Sequence, residues 1–343
     1  MANFFECFFI DFLCLVWYVI CMVNYEKVIL ETKAFKTFLQ DMKSNRLSHT
    51  YLLVSEDQDY ALSFAKLMAK NILAVQNKQH SLVKIDKNVH PDVIVLGQSE
   101  KIMTKSASEI AGDVYIRPYE EDKKIYILLN MDDVNEEAQN KLLKTIEEPP
   151  INVFFILCAK TTSKLLTTIL SRSKKIELDL LSSSQIGFLL EQNGVDNKTA
   201  SICSACSAGV FSRANKMATD KEFLNLYNNV FDCLFKMNSS RDVVNFASIF
   251  SLKNVDREEL ADLMMLVCRD LMMIKTGNPN LINNVHKKAE LSLICESFSL
   301  LALSKIIEYC LQLKEDLVYN TLSIATIDEF LLKIVEAKVK CKK

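Results

Sequence analysis

The chain has 343 residues, 50% of them apolar and 24% charged, with only six glycines and five prolines. That length exceeds one ordinary core, so two or three domains are expected, and the composition excludes a disordered or collagen-like chain. With 41 basic against 43 acidic side chains, the net charge of −2 excludes bulk attraction to nucleic acid. Any DNA contact has to be local or shared with partners.

In chain order, residues 1–23 come first and are unusual. Phe4 to Val23 is almost wholly apolar, interrupted by Glu6 and Asp11. The length suits a membrane span. Two acids inside it are costly, however, and no Lys or Arg flanks its start. The reading adopted is a misplaced start codon, with the first domain beginning near Met22; a membrane anchor is the alternative. The single tryptophan, Trp17, lies in this segment.

From Tyr25 to Arg46 a helical pattern places Phe35, Phe38, Leu39 and Met42 on one face. Leu47 to Val54 leads into a first strand. A helix follows, with Ala61, Ala65, Met68 and Ile72 on one face. The connection between them reads Ser55-Glu56-Asp57-Gln58-Asp59-Tyr60-Ala61. A phosphate-binding loop needs glycines for close backbone approach, a Lys for the phosphates and a Ser or Thr for magnesium. The first glycine of the chain is Gly97, and three carboxylates face the place of a polyphosphate. No nucleotide cofactor is expected there.

His90-Pro91-Asp92 reads as a turn into a strand, Val93 to Leu96, and Arg117-Pro118-Tyr119 as a loop. Ile125 to Leu129 is a short apolar run suited to a strand buried on both faces. Asn135 is an N-cap, with Glu136 and Glu137 in the first turn of a helix. Ala138, Leu142 and Ile146 share its inner face. Pro149 ends it, and Val153 to Cys158 is again apolar. Strand, helix, strand in this order is a βαβ unit.

The thirteen residues Ala138-Gln139-Asn140-Lys141-Leu142-Leu143-Lys144-Thr145-Ile146-Glu147-Glu148-Pro149-Pro150 resemble the segment after the Walker B strand of AAA+ clamp-loader proteins of the bacterial DNA polymerase III group. The resemblance covers roughly Tyr25 to the C-terminus and is strongest between Lys123 and Leu178. It implies a degenerate AAA+ parallel-sheet domain over residues 24–179, a small helical lid over 180–220 and a C-terminal helical collar over 221–343. The fold class expected is therefore α/β plus all-α. By the same match, the magnesium-binding Asp and catalytic Glu of an active member fall at Leu129 and Asn130, and neither is acidic. The pattern fits the non-hydrolysing, delta-prime type of member. An active tau/gamma-like ATPase, a delta subunit and a membrane-tethered scaffold are the alternatives.

Downstream, Thr167-Thr168-Ile169-Leu170-Ser171-Arg172-Ser173 resembles the clamp-loader Ser-Arg-Cys motif, with Ser173 in place of Cys. Locally, a solvated basic turn with Lys174 and Lys175 is an equal reading. The resemblance implies instead that Arg172 acts in trans as an arginine finger at a neighbouring subunit's ATP site. Ser171, Ser173, Thr161 and Lys164 would support that interface. The chain has only seven arginines among its 41 basic residues, which sets this one apart. Implied partners are tau/gamma ATPase subunits and a delta subunit, with the sliding clamp and primed DNA reached through the complex and no membrane partner.

Ile176 to Leu178 reads as the last strand, Asp179 to Ser184 as a hinge, and Gln185 to Gln192 and Asn197 to Ser207 as helices. Gly209 to Ala214 resembles the region of the sensor-2 arginine, and Arg213 is read as structural. Eleven cysteines, without a framework, read as reduced thiols of a cytoplasmic protein. Cys203 and Cys206, the one CxxC, fall in a helix without a second ligand pair, so they are read as core, with no metal expected. Beyond Lys221 only helical stripes remain: Phe223, Leu226, Tyr227, Val230, Phe231 and Leu234; Leu260, Leu263, Met264, Val267 and Leu271; Leu300, Leu303, Ile307, Cys310 and Leu311; Ile327, Phe330, Leu331 and Ile334.

Overall fold

The computed structural model describes residues 25–340 apart from 76–77, 99, 238, 253–254 and 319–323. The apolar segment 1–23, with Trp17, lies outside the described residues. The described chain forms two units. One runs to Asn193 and includes Gly209–Ser212; the other comprises Gly194–Ala208 and the residues from Arg213 onward.

The first unit is built on five strands: β1 (Thr50–Val54), β2 (Val93–Leu96), β3 (Lys124–Leu128), β4 (Val153–Ala159) and β5 (Lys174–Glu177). Their order is β2-β3-β4-β1-β5, and every pairing is parallel. β3 and β4 are buried along their whole length, as strands covered on both faces must be. Tyr126 pairs with Phe155 across that ladder, and their rings stack with centroids 5.2 Å apart. Because all strands run the same way, one edge of the sheet collects strand beginnings and the other collects strand ends.

Among the described residues eight α-helices accompany the sheet: α1 (Glu26–Glu31), α2 (Lys33–Lys43), α3 (Gln58–Ile72), α4 (Gln79–Asp86), α5 (Thr104–Asp113), α6 (Glu136–Glu147), α7 (Thr167–Arg172) and α8 (Ser183–Gln192). The helical pattern expected from Tyr25 to Arg46 is broken at Thr32. This residue takes an extended ψ of 145° and caps α2 by accepting the Phe35 N–H. On α3 the expected face is buried at Ala61, Ala65, Met68 and Ile72. Asn135 caps α6 as expected, accepting the Ala138 N–H at 2.9 Å. Ala138, Leu142 and Ile146 enter one core with Leu128, Phe155 and Leu157, and burial of a side chain such as Leu142 contributes about 1.5–3 kcal/mol.

The second unit contains only helical elements among its described residues. They are α9 (Asn197–Cys206), most of α10 (Phe211–Thr219), α11 (Lys221–Lys236), α12 (Ser240–Phe250), α13 (Arg257–Lys275), α14 (Lys288–Glu296), α15 (Leu300–Val318) and α16 (Ile324–Lys340). Three of the four expected stripes are buried as read, on α11, α13 and α16. The α15 stripe is corrected. Leu300 and Leu311 are exposed, and the buried face is Ala302, Leu303, Ile306, Cys310 and Leu313. Apolar residues crowd several faces of this helix, so periodicity alone fits more than one stripe.

Cys203 and Cys206 lie in α9, and all seven cysteines among the described residues are buried and free. Burial pushes the Cys203 thiol up to about 12 and raises that of Cys206 as well. Asp270, fully buried, accepts the backbone N–H groups of Asn283 and Asn284 and the Asn284 side-chain N–H. That carboxylate fixes the connection between α13 and α14. The observed architecture is thus a parallel α/β unit followed by an all-α unit, the fold class expected from the sequence.

Candidate functional site

At the edge of strand ends, β1 finishes at Val54 and the Ser55 N–H continues the ladder by donating to the Ala159 carbonyl at 3.0 Å. Asp57 then caps α3. Its Oδ1 accepts the Asp59 and Tyr60 N–H groups at 3.1 Å each, and its Oδ2 accepts the Ser212 N–H at 2.9 Å. Two helix N-termini, those of α3 and α10, therefore converge on one carboxylate that is 3% exposed. Such a convergence of N–H groups and dipoles is what binds phosphate elsewhere. Here the anion belongs to the chain itself. The sequence had Glu56, Asp57 and Asp59 all facing the place of a polyphosphate; Asp57 instead turns inward as a cap.

Aromatic side chains pack behind this carboxylate. Tyr25 lies 5.5 Å from the Tyr60 ring and 5.4 Å from that of Phe211, and all three are buried. Burial, with Asp179 and Asp57 nearby, pushes the Tyr60 phenol up to about 12, and the Tyr25 phenol is raised further by its own burial.

The end of β3 carries no carboxylate. Leu129 is buried, and Asn130 adopts a left-handed φ of 51° while its Nδ2 donates to the Gly97 carbonyl at 2.9 Å. Asp132 accepts the Lys160 N–H at 3.0 Å, which ties the turn after β3 to the end of β4. Gln139, missed by the sequence reading, is 2% exposed and fully engaged. Its Nε2 donates to the Val134 and Lys164 carbonyls, and its Oε1 accepts the Leu166 N–H. Its place on the inner face of α6, beside Ala138 and Leu142, was the available signal.

Arg172 lies near the opposite edge, two residues before β5 begins. Its Nη2 sits 2.5 Å from Glu147 Oε1, at the last residue of α6. Its Nη1 donates to the Thr168 carbonyl at 3.2 Å and to Ser171 Oγ at 3.3 Å. The side chain remains 39% exposed. Ser173 Oγ donates to the Ile169 carbonyl at 2.8 Å, so a serine is satisfied where the resembling motif has cysteine.

Ser171, Arg172 and Ser173 are thus brought together, and Thr161 and Lys164 are not among them. Both are exposed and follow the end of β4, and Thr161 Oγ1 lies 3.1 Å from Ser163 Oγ. Ala159 pairs with Val54 and Lys174 with Tyr51, three steps apart along the ladder, or about 10 Å. Arg213 is held by Asp262 at 2.5 Å, and Asp262 also pairs with Lys314 at 2.7 Å. His90 and Asp92 are structural. The His90 Nδ1 accepts the Asp92 N–H, and the buried Asp92 carboxylate accepts the N–H groups of Tyr119, Glu120 and Glu121. Among the described residues no helix is long and apolar enough to cross a membrane.

Two family models match the chain. One, described as DNA polymerase III, delta subunit, matches residues 30–182, and one described as DNA polymerase III, delta subunit, C terminal, matches 221–325. The chain is 24% identical over 262 residues to the DNA polymerase III subunit delta' of Bacillus subtilis, covering 73% of this chain and 79% of that one. It is 29% identical over 152 residues to the tau/gamma subunit of Haemophilus influenzae, covering 42% of this chain and 22% of that one. A solved gamma subunit-related protein of Thermotoga maritima aligns with a TM-score of 0.43 at 17% identity, covering 88% of this chain and 99% of that one. The chain belongs to the DNA polymerase III clamp-loader family of AAA+ proteins.

Proposed function

We propose that this chain is a clamp-loader subunit of the delta-prime type, which does not hydrolyse ATP itself and supplies Arg172 in trans to a tau/gamma ATP site. The observation that carries the reading is the opposition of two edges. Asp57 fills the anion position at the strand ends, and Arg172 stands part-exposed toward the strand beginnings. Subunits that associate head to tail present one such face to the other face of a neighbour. An arginine placed there meets the neighbour's phosphates and never its own crevice.

The absence of a glycine loop, the inward Asp57 and the apolar Leu129 at the strand end support a subunit that contributes no hydrolysis of its own. An arginine on the γ-phosphate neutralises charge that develops during transfer, a contribution of about 10³–10⁵ in rate. In this reading residues 24–179 form the AAA+ domain, 180–220 the lid and 221–343 the collar. The collar holds the chain beside tau/gamma and delta in the cytoplasm. ATP-driven assembly opens the sliding clamp, and primed DNA triggers hydrolysis and release. Ser171, Ser173, Thr161 and Lys164 would support the interface at which Arg172 acts.

The test is the ATPase of the reconstituted tau/gamma–delta–delta-prime complex with clamp and primed DNA. Arg172→Ala is expected to lower the stimulated rate tenfold or more while the complex still assembles. An unchanged rate with intact assembly would reduce Arg172 to a surface turn. Nucleotide binding by the isolated chain would instead return the active ATPase reading.

A further inference from the structure

We infer that Glu147 is a positioning residue for Arg172, fixing the guanidinium so that two of its N–H groups remain for a phosphate. The inference rests on the finger reading given above.

A guanidinium carries five N–H groups in a rigid fork. Three have partners within the chain: Glu147 Oε1 at 2.5 Å, the Thr168 carbonyl at 3.2 Å and Ser171 Oγ at 3.3 Å. Two are left, the number that bidentate recognition of a phosphate requires. The tether and the phosphate therefore do not compete for the same hydrogens.

The tether is placed against the local preference of the helix. Glu147 is the last residue of α6, where the helix dipole disfavours a carboxylate, whereas Glu136 and Glu137 in the first turn are favoured. Arg172 ends α7, where a cation is favoured. The guanidinium thus meets the carboxylate at the C-termini of two helices, and each helix contributes its negative end to holding it. Both partners are nearly two-fifths exposed, at 39% and 38%. An exposed pair of this kind contributes little to stability. Its consequence is geometric: a long, freely rotating side chain is held in one place before the neighbour arrives. A finger that acts by electrostatic preorganisation depends on that restriction.

The experiment uses the reconstituted complex with clamp and primed DNA, measuring kcat and KM for ATP. The variants are Glu147→Ala, Glu147→Gln, Arg172→Ala and the double variant Glu147→Ala/Arg172→Ala. Assembly and the thermal midpoint of each free subunit are checked first. Glu147→Ala is expected to lower kcat about tenfold with KM within about twofold, the scale of effect when a rotamer-rich side chain loses its fixed geometry. Glu147→Gln keeps the Oε1 acceptor and is expected within about threefold of wild type. The double variant is expected to match Arg172→Ala. A kcat for Glu147→Ala that is unchanged, or that rises as it would if the carboxylate merely sequestered the arginine, overturns the inference and leaves the finger standing. A silent Arg172→Ala removes the finger reading itself, and the positioning role falls with it.

Discussion

Asp57 shows how one side chain can take over the place of a bound group. Its carboxylate satisfies three backbone N–H groups at two helix starts while almost excluded from solvent. Removing it leaves those donors without partners, and each buried unsatisfied donor costs about 1–3 kcal/mol. Asp57→Ala is therefore expected to lower the unfolding free energy by about 2–4 kcal/mol, read from urea denaturation. Asp57→Asn, which keeps one acceptor oxygen, should recover part of that loss. A stability equal to wild type would mean that water replaces the carboxylate, and the capping account would fail.

Between elements, the close approach of β2 to the end of β3 is set by Gly97. Its φ of +86° is a conformation that side chains rarely adopt, and an added Cβ would lie 2.4 Å from the Leu129 carbonyl oxygen. That carbonyl cannot simply retreat. The Leu129 N–H donates to Leu96, and the Asn130 side chain reaches back to Gly97. Gly97→Ala is expected to destabilise the first unit by about 2 kcal/mol or more through strain and displaced strand ends, measured by urea unfolding or by faster amide exchange in β2 and β3. The glycine was visible in the sequence only as the first of six. Its reason lies in the strand opposite it.

Across the whole molecule, two histidines, His90 in the interior and His286 at the surface, give stability a pH dependence of defined sign. Burial lowers the pKa of His90, and partial desolvation against Tyr227 lowers that of His286, below the ordinary value. The unfolded chain then takes up these protons before the folded one does. The contribution is fully present above about pH 6.5, the unfolded value, and is lost as pH falls through the folded values. Unfolding free energy measured from pH 7 to 5 is expected to decrease, by at most about 1.4 kcal/mol per pH unit for each proton. His286→Gln should flatten the slope if it folds with Tyr227 still bonded to Asn284, as the 2.8 Å contact between those two residues allows. A slope unchanged in both His90→Gln and His286→Gln would assign the dependence to other groups.

What the sequence by itself determined was periodic and local: the strands of the βαβ unit, the Asn135 cap, three of four helical stripes, the missing glycine loop and the motif around Arg172. Each of these follows from spacing along the chain, which fixes which face a residue occupies. The tertiary structure decided the partners. It turned Asp57 inward, buried Gln139 between two segments and set Glu147 against Arg172. It also chose one stripe on α15 from several of equal apolarity. The physical reason is common to all of these. Which donor meets which acceptor, and which apolar face meets the core, depend on where distant elements come to rest, and spacing along the chain carries no record of that.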